Sequence, residues 1–239
     1  MSERVYHRRV PTANGMGWST TVLNEVSELF IAHCRQNQGT VLDIGAGLGV
    51  ATLAALEAGA RVIANDADVG HLRAIQARSG AFGDTLQLQE GRFPYKFKLD
   101  ADSLDAVHAS HVFHFLTGRQ LQIGANSIHW WLKPGGRLFA VAATPYFGPF
   151  AGFASTYEDR LQKGEAWPGW VENTRTITEH RLMSQVPKSI HLLDDKILSR
   201  AFADAGFEIE RCWMFRRHDL PASVHYDGRE SVGLVARKI

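Results

Sequence analysis

The chain has 239 residues, a length that suits one α/β domain with a full core and an inserted segment. Its residues are 45% apolar and 21% charged, and its formal net charge of +1 gives no general attraction for nucleic acid or membrane surfaces. Cys34 and Cys212 lie far apart and form no CxxC pair, so we expect free thiols. The polar first residues and the lack of a long apolar run predict a cytoplasmic protein without a membrane span.

Residues 1–38 are predicted to be an N-terminal arm followed by a helix. The first 18 residues are basic and then rich in turn formers, which fits either a flap over a site or a frayed terminus. A helix is expected from Ser19, whose hydroxyl can cap it. Apolar residues at helical spacing predict the face that packs on the core: Val22, Leu23, Val26, Leu29 and Phe30.

The stretch VLDIGAGLGVAT, residues 41–52, predicts a strand, a glycine turn and a helix. This arrangement opens a nucleotide-binding βαβ unit, in which the first amides of the helix favour an anionic group. Asp43 is a carboxylate in an otherwise apolar strand, so we expect a cationic or hydrogen-bonding partner for it. The next strand, Val62 to Asn65, ends at Asp66, near the spacing at which a carboxylate meets ribose hydroxyls. Asp68 is the other candidate for the ribose contact. For Asp66 and Asp68 alike, the alternative role is to cap the helix 69–78.

An acidic residue followed by GxGxG resembles the first motif of class I S-adenosylmethionine-dependent methyltransferases. The resemblance implies that the acidic residue lies near the methionine amine of the cofactor and the glycine turn under its ribose and methionine part, which assigns Asp43, Gly45, Gly47 and Gly49. Asp66, with Ala67 beside it, matches the second motif. The alternative is a nicotinamide-dinucleotide fold, whose GxGxxG fingerprint would need a glycine where this chain has Val50.

A short strand, Thr85 to Gln89, leads to Gly91 and Arg92. Many of the methyltransferases that the chain resembles have an aspartate after this glycine, which reads the adenine amine. Arg92 offers no acceptor for that amine. We therefore expect the adenine to be read by backbone groups or by stacking against Phe93.

A fourth strand opens at Asp105 and runs into the phrase HASHVFHFL. His108, His111 and His114 are three residues apart, but no cysteine or carboxylate cluster completes a metal site, so no metal is predicted. Because the carboxyl ends of parallel strands bind ligands in this fold, Ser110 and His111 are predicted cofactor neighbours. A histidine here is either a general base or a helix-capping or supporting residue.

A helix, Arg119 to Leu132, and a KPGG turn into the strand Arg137 to Ala143 resemble a later phrase of the same family. The long segment 144–192 is predicted to be a substrate lid with a helix over Ala154 to Lys163. Its rings are expected to contact an apolar or aromatic acceptor, or else to form a small core or a subunit contact: Tyr146, Phe147, Phe150, Phe153, Tyr157, Trp167 and Trp170. Three basic residues could anchor an acidic acceptor: Arg175, His180 and Arg181.

The last elements are a helix capped by Asp194 and the strands Phe207 to Phe215 and Ser231 to Lys238, whose short connection predicts antiparallel pairing. We therefore expect one α/β domain with a doubly wound, mostly parallel seven-stranded sheet, a C-terminal antiparallel hairpin and a lid inserted after the fifth strand.

The function that the resemblance implies is methyl transfer from S-adenosylmethionine to a small molecule, with O-methylation slightly favoured over N-methylation and with no nucleic acid or membrane as partner. A hydroxyl or phenol acceptor would need a base, for which His111, His114 and Tyr146 are the candidates. The chain lacks the NPPY-type motif of the nucleobase and glutamine N-methylating branches. The alternatives are a methyltransferase acting on a protein, a nicotinamide-dependent oxidoreductase and a non-catalytic cofactor-binding protein.

Overall fold

The computed structural model describes residues 9–11, 18–80, 82–178, 187–220 and 222–239. Its strands are β1 (Arg9–Pro11), β2 (Trp18–Thr20), β3 (Thr40–Ile44), β4 (Arg61–Asp66), β5 (Leu86–Glu90), β6 (Leu104–Ser110), β7 (Leu132–Ala143), β8 (Trp170–Val171), β9 (Ile190–His191), β10 (Phe207–Phe215) and β11 (Ser231–Lys238). Its helices are α1 (Glu25–Asn37), α2 (Val50–Glu57), α3 (Val69–Arg78), α4 (Gly118–Trp131), α5 (Ala154–Gln162) and α6 (Asp195–Ala203).

Seven of these strands form the central sheet, in the order β10-β11-β7-β6-β3-β4-β5. The pairs from β7 through β6, β3 and β4 to β5 are parallel, whereas β11 is antiparallel to both β7 and β10. The strand order reverses beside β3, because β4 lies on one side of it and β6 on the other. Ligands bind at such a switch point in open α/β sheets. The predicted mostly parallel sheet with a C-terminal antiparallel hairpin is confirmed.

The two faces of the sheet follow from alternation along its strands. One face of β3 carries Leu42 and Ile44 into the cluster that α4 and α6 cover, while Val41 faces the cluster of α1 and α2. Asp43 has the same parity as Val41, and His108 has the same parity as Ala106, which packs in the cluster of α1 and α2. Alternation therefore directs both polar side chains toward α1 and α2.

The prediction of a helix from Ser19 is wrong. Residues Trp18–Thr20 form β2, which pairs antiparallel with β1, and α1 begins at Glu25. The reason is the cap: the Asn24 side chain accepts hydrogen bonds from the backbone N–H groups of residues 26 and 27. Leu29 was expected in the core but is 40% exposed, because helical spacing places it away from the face that carries Phe30 and Cys34.

The segment between β7 and α6 contains a short 3₁₀ helix, α5 and the two-stranded sheet of β8 and β9. The predicted helix from Ala154 ends at Gln162. The role of this segment as a lid stays a prediction, and its residues 179–186 lie outside the described part of the chain. Among the described helices, none has both the length and the apolar character that a membrane crossing requires.

Candidate functional site

A cavity of about 870 Å³ opens at the carboxyl ends of β3, β4 and β6. Most of the predicted cofactor residues line it: Asp43, Gly45, Gly47, Asp66, Ala67, Gly91, Arg92, Phe93, Ser110 and His111. Gly49 is not among the lining residues. It adopts φ +76° just before α2, and a Cβ there would lie 2.6 Å from Ile75. Gly49 therefore serves the turn and its packing on α3.

The glycine turn itself lies against the chain that follows β6. Gly45 has φ +66°, and a Cβ on it would lie 2.5 Å from the Val112 side chain. The backbone can approach this closely only without a side chain. Gly47 turns its N–H toward β4 and donates to Asp66 Oδ2 at 2.9 Å. The glycine turn therefore contacts the chain after β6 on one side and the end of β4 on the other.

Asp43 has the hydrogen-bonding partners that its burial requires. Its Oδ2 accepts from the Thr52 hydroxyl at 2.6 Å, and its Oδ1 lies 2.7 Å from His108 Nδ1. Thr52 comes from the first turns of α2, and His108 is the residue opposite Asp43 in the parallel ladder of β3 and β6. The sequence predicted that Asp43 needs a partner, but not which residues supply it.

Asp66 is the corresponding carboxylate at the end of β4. Besides Gly47, its oxygens accept from the backbone N–H of Asp68 at 2.8 Å, and His71 Nδ1 of α3 lies 3.3 Å away. Asp68 instead caps α3, since its side chain accepts from Gly70 N–H at 2.7 Å. The two buried carboxylates of the cavity each have a buried histidine beside them, and no sequence motif identified His71.

Phe93 contributes to the cavity, but its position argues against the predicted stacking role. Its ring is buried among Phe97, Phe113 and Trp131, at centroid distances of 6.3 to 6.4 Å. A ring packed on these neighbours does not present a free face to a planar ligand. The backbone at Gly91 is held by the Asn65 amide, which donates to its carbonyl at 2.9 Å.

His111 meets a residue that the sequence did not single out. Arg217, in the connection between β10 and β11, places Nη1 2.7 Å from His111 Nε2. Because a guanidinium only donates, Nε2 must accept and His111 carries its proton on Nδ1. Arg217 also forms a bidentate pair with Asp219, at 2.7 and 2.6 Å. Glu230 accepts from the backbone N–H of Arg217 at 3.2 Å, which fixes the loop.

His114 is almost fully buried on the cavity wall, and its Nδ1 has no hydrogen-bond partner among the described residues. Burial, with a smaller effect of Arg217, lowers the pKa of His114 to about 3. It is therefore neutral and only weakly basic at neutral pH. In the described part of the chain, no three His, Cys, Asp or Glu side chains come together as a metal site.

Tyr146, the third candidate base, is not at the cavity. Its hydroxyl lies 3.3 Å from Glu158 Oε1, and the Arg229 guanidinium sits 3.5 Å from the centre of its ring. Burial and the negative charge of Glu158 raise the pKa of Tyr146 to about 12. The role of Tyr146 as a base stays a prediction, which its position away from the cavity does not support.

The aromatic residues of the 144–192 segment form a small core, part of which faces the cavity. Phe153 and Tyr157 pack in this core together with Phe150 and Ile190, and Phe147 packs against it. Phe147, Phe150 and Ile190 also line the cavity. Contact of these rings with an acceptor stays a prediction. The predicted anchors include exposed Arg175, which is not a lining residue, whereas positions 180 and 181 lie outside the described residues.

Comparison with known proteins agrees with this geometry. Residues 41–136 match the model of a methyltransferase domain family, a range that contains the glycine turn, Asp66 and β6. Over these residues the chain is similar to a methyltransferase domain, the class of enzyme that the first motif predicted. The match supports the prediction that S-adenosylmethionine is the cofactor. A search among curated proteins finds no match to this chain.

Several solved structures share the fold of this chain. A candidate S-adenosylmethionine-dependent methyltransferase from Listeria monocytogenes is 15% identical, with a TM-score of 0.65 over 90% of this chain and 98% of its own. The 1,6-didemethyltoxoflavin N1-methyltransferase of Burkholderia thailandensis is 18% identical, with a TM-score of 0.62 over 89% and 76%. The geranyl diphosphate C-methyltransferase of Streptomyces coelicolor is 14% identical, with a TM-score of 0.60 over 89% and 79%.

Proposed function

We propose that this enzyme methylates a small molecule bound in the cavity, at an acceptor atom that is already nucleophilic. Acidic oxygens such as a carboxylate or phenolate are favoured, with an amine second. The observation that carries the proposal is that the cavity continues from the glycine turn to the apolar wall of Phe147, Phe150 and Ile190. Its volume of about 870 Å³ is in the range of small-molecule sites.

The cofactor half of this cavity would be formed by the ends of β3 and β4. Carboxylates accept from ammonium and hydroxyl groups, so Asp43 suits the amino group of the cofactor and Asp66 suits its ribose. Gly45 and Gly47 leave room for the ligand against the main chain. The donor and acceptor set therefore fits the cofactor, which when bound supplies a methyl group on a sulfonium centre.

The acceptor half would lie between the 144–192 segment and the loop that carries Arg217. The bonds of Arg217 to Asp219 and His111 use three of its five N–H groups, so its terminal nitrogens keep donor capacity. An anionic oxygen could accept from them, while an apolar body packs on Phe147 and Phe150. Because Arg217 and Asp219 together carry no net charge, an uncharged acceptor could also bind beside them.

The preference for a pre-formed nucleophile follows from the three candidate bases. Tyr146 is outside the cavity, His114 has a pKa lowered to about 3, and the Nε2 lone pair of His111 already accepts from Arg217. With these residues, the protein's contribution is to position the acceptor in line and to exclude water. A carboxylate, phenolate or free amine needs no deprotonation by the protein.

The test is an assay of S-adenosylhomocysteine release with matched panels of small carboxylic acids, phenols, amines and alcohols. We expect turnover with acidic oxygens or amines and none with plain alcohols. Alkaline lability identifies a methyl ester and separates it from an N-methyl product. Turnover confined to alcohols, or to protein substrates alone, would overturn the proposal.

A further inference from the structure

Beneath the cavity, the pair of Asp43 and His108 extends into α1. The hydroxyl of Ser27 lies 2.9 Å from His108 Nε2, and the Phe30 ring stacks on the imidazole at 4.9 Å with an interplanar angle of 18°. Asp43, His108 and Ser27 are each at most 3% exposed, yet all three line the cavity. The imidazole is therefore held at both nitrogens and on one face.

These contacts determine where the proton of His108 lies. An ionised carboxylate accepts only, so the 2.7 Å contact with Asp43 requires a proton on Nδ1. The hydroxyl of Ser27 bonds Nε2 on the other side of the ring, and the Phe30 ring covers one face, so the imidazole is held with Nδ1 directed at Asp43.

We propose that His108 is a positioning residue that holds the Asp43 carboxylate in place for the amino group of the methionine arm of the cofactor. The inference rests on the proposed cofactor orientation, in which this amino group lies near Asp43. His108 donates one hydrogen bond to the carboxylate, Thr52 donates the other, and each oxygen keeps a lone pair for a further donor. The amino group of the cofactor would be that donor.

The neighbours of this pair on three elements are uncharged. On α1, burial followed by the charge of Asp43 raises the pKa of Cys34 to about 12, so its thiol stays neutral. On β7, the residue opposite His108 is Phe139, which is apolar. The group that α2 contributes is the hydroxyl of Thr52. His108 and Thr52 are therefore the side chains whose hydrogen bonds the test addresses.

The experiment compares two ligands by calorimetry at pH 7.5. S-adenosylhomocysteine has the amino-acid arm, and 5′-methylthioadenosine lacks it. His108→Phe removes the donor to Asp43 and should weaken S-adenosylhomocysteine binding about tenfold at pH 7.5, with less than about a twofold effect on 5′-methylthioadenosine.

His108→Asn is the conservative variant. Its amide nitrogen can take the place of Nδ1 as donor to Asp43. We expect this variant to restore binding of S-adenosylhomocysteine to within about threefold of wild type. The matched control is His129→Asn, the same replacement on α4 at a residue that packs on Phe207 and does not line the cavity. It should behave as wild type in every measurement.

The outcomes separate this inference from the proposed cofactor site. If Asp43→Asn binds S-adenosylhomocysteine as tightly as wild type, the proposed orientation of the cofactor fails. If Asp43→Asn weakens binding but His108→Phe does not, or if His108→Phe weakens both ligands equally, the inference on His108 is overturned. Should His108→Phe not fold, His108→Asn decides, since a loss of more than about tenfold in S-adenosylhomocysteine affinity in a variant that keeps the donor also overturns the inference.

Discussion

The two halves of the cavity are built in different ways. The cofactor half consists of strand ends and a glycine turn, and its carboxylates are held by neighbours on the adjacent elements, as Asp66 is held by Gly47 and Asp68. The acceptor half combines a long irregular segment with a loop from the C-terminal hairpin, so Phe150 and Arg217 reach it from two separate segments of the chain. Regular elements thus fix the first half, whereas long-range contacts determine the second.

The largest effect is expected from removing the carboxylate that anchors the cofactor half. Asp66→Ala should weaken S-adenosylhomocysteine binding about 100-fold, because the ribose loses its acceptor and the N–H groups of Gly47 and Asp68 lose theirs. Calorimetric titration with S-adenosylmethionine, S-adenosylhomocysteine and NAD measures this. Binding of NAD instead would favour the dinucleotide alternative.

Asp68→Ala is the comparison for that variant. It removes the cap of α3, at about 1 kcal/mol of stability, and should leave cofactor affinity within about threefold of wild type. If Asp68→Ala abolishes cofactor binding and Asp66→Ala does not, Asp68 rather than Asp66 binds the ribose, and the proposed ribose contact is wrong.

The second prediction tests the acceptor half. With an acceptor identified by the panel assay, Arg217→Gln should raise KM for an acidic acceptor about tenfold, since a charged hydrogen bond is lost, while cofactor affinity stays near wild type. Arg211→Gln is the control, because Arg211 lies on β10 with its guanidinium over Trp213 and does not line the cavity. If Arg217→Gln lowers cofactor affinity and leaves the KM for the acceptor unchanged, Arg217 does not bind the acceptor.

The sequence predicted the cofactor half well because its signals are local. Strand, turn and helix follow one another within residues 41–58, and the mostly parallel sheet with its antiparallel hairpin was also predicted. What it could not predict is which side chains cross between elements. His108 was noted only for its spacing from two other histidines, and its pairing with Asp43 depends on the register of β3 against β6.

The acceptor half was harder to predict for a physical reason. Tyr146 and Phe147 are adjacent, yet one bonds Glu158 in the interior and the other lines the cavity, a choice that depends on packing rather than pattern. Arg217 lies in a connection whose sequence carries no motif, and its position depends on Glu230, thirteen residues later. Nothing in a linear pattern brings these residues together.

A third prediction concerns stability on acidification. Burial lowers the pKa of His114 to about 3, below its ordinary value of 6.5. Between these values the unfolded chain binds the proton and the folded chain does not, so the free energy of unfolding is constant above pH 6.5 and falls as the pH drops toward 3. Urea unfolding at pH 7 and pH 4.5 should show a smaller loss for His114→Phe than for wild type.

His191 provides an independent check of the same effect, because burial lowers its pKa to about 4 and it does not line the cavity. His191→Phe should also flatten the acid dependence, although it removes the hydrogen bond from Nδ1 to the Leu116 carbonyl and so lowers stability at pH 7. An unchanged acid dependence in both variants would show that neither histidine is the source of the acid sensitivity.

The smallest effect is expected at Tyr146. Its hydroxyl bonds Glu158 away from the cavity, and its raised pKa of about 12 keeps it protonated, so Tyr146→Phe should leave the turnover rate within about twofold of wild type. The lost hydrogen bond should cost about 1 kcal/mol in the free energy of unfolding. If turnover instead fell by about two orders of magnitude while stability stayed unchanged, Tyr146 would again be a candidate base in the reaction. That result would also mean that the 144–192 segment rearranges when the acceptor binds, because only such a movement could bring the hydroxyl to the cavity.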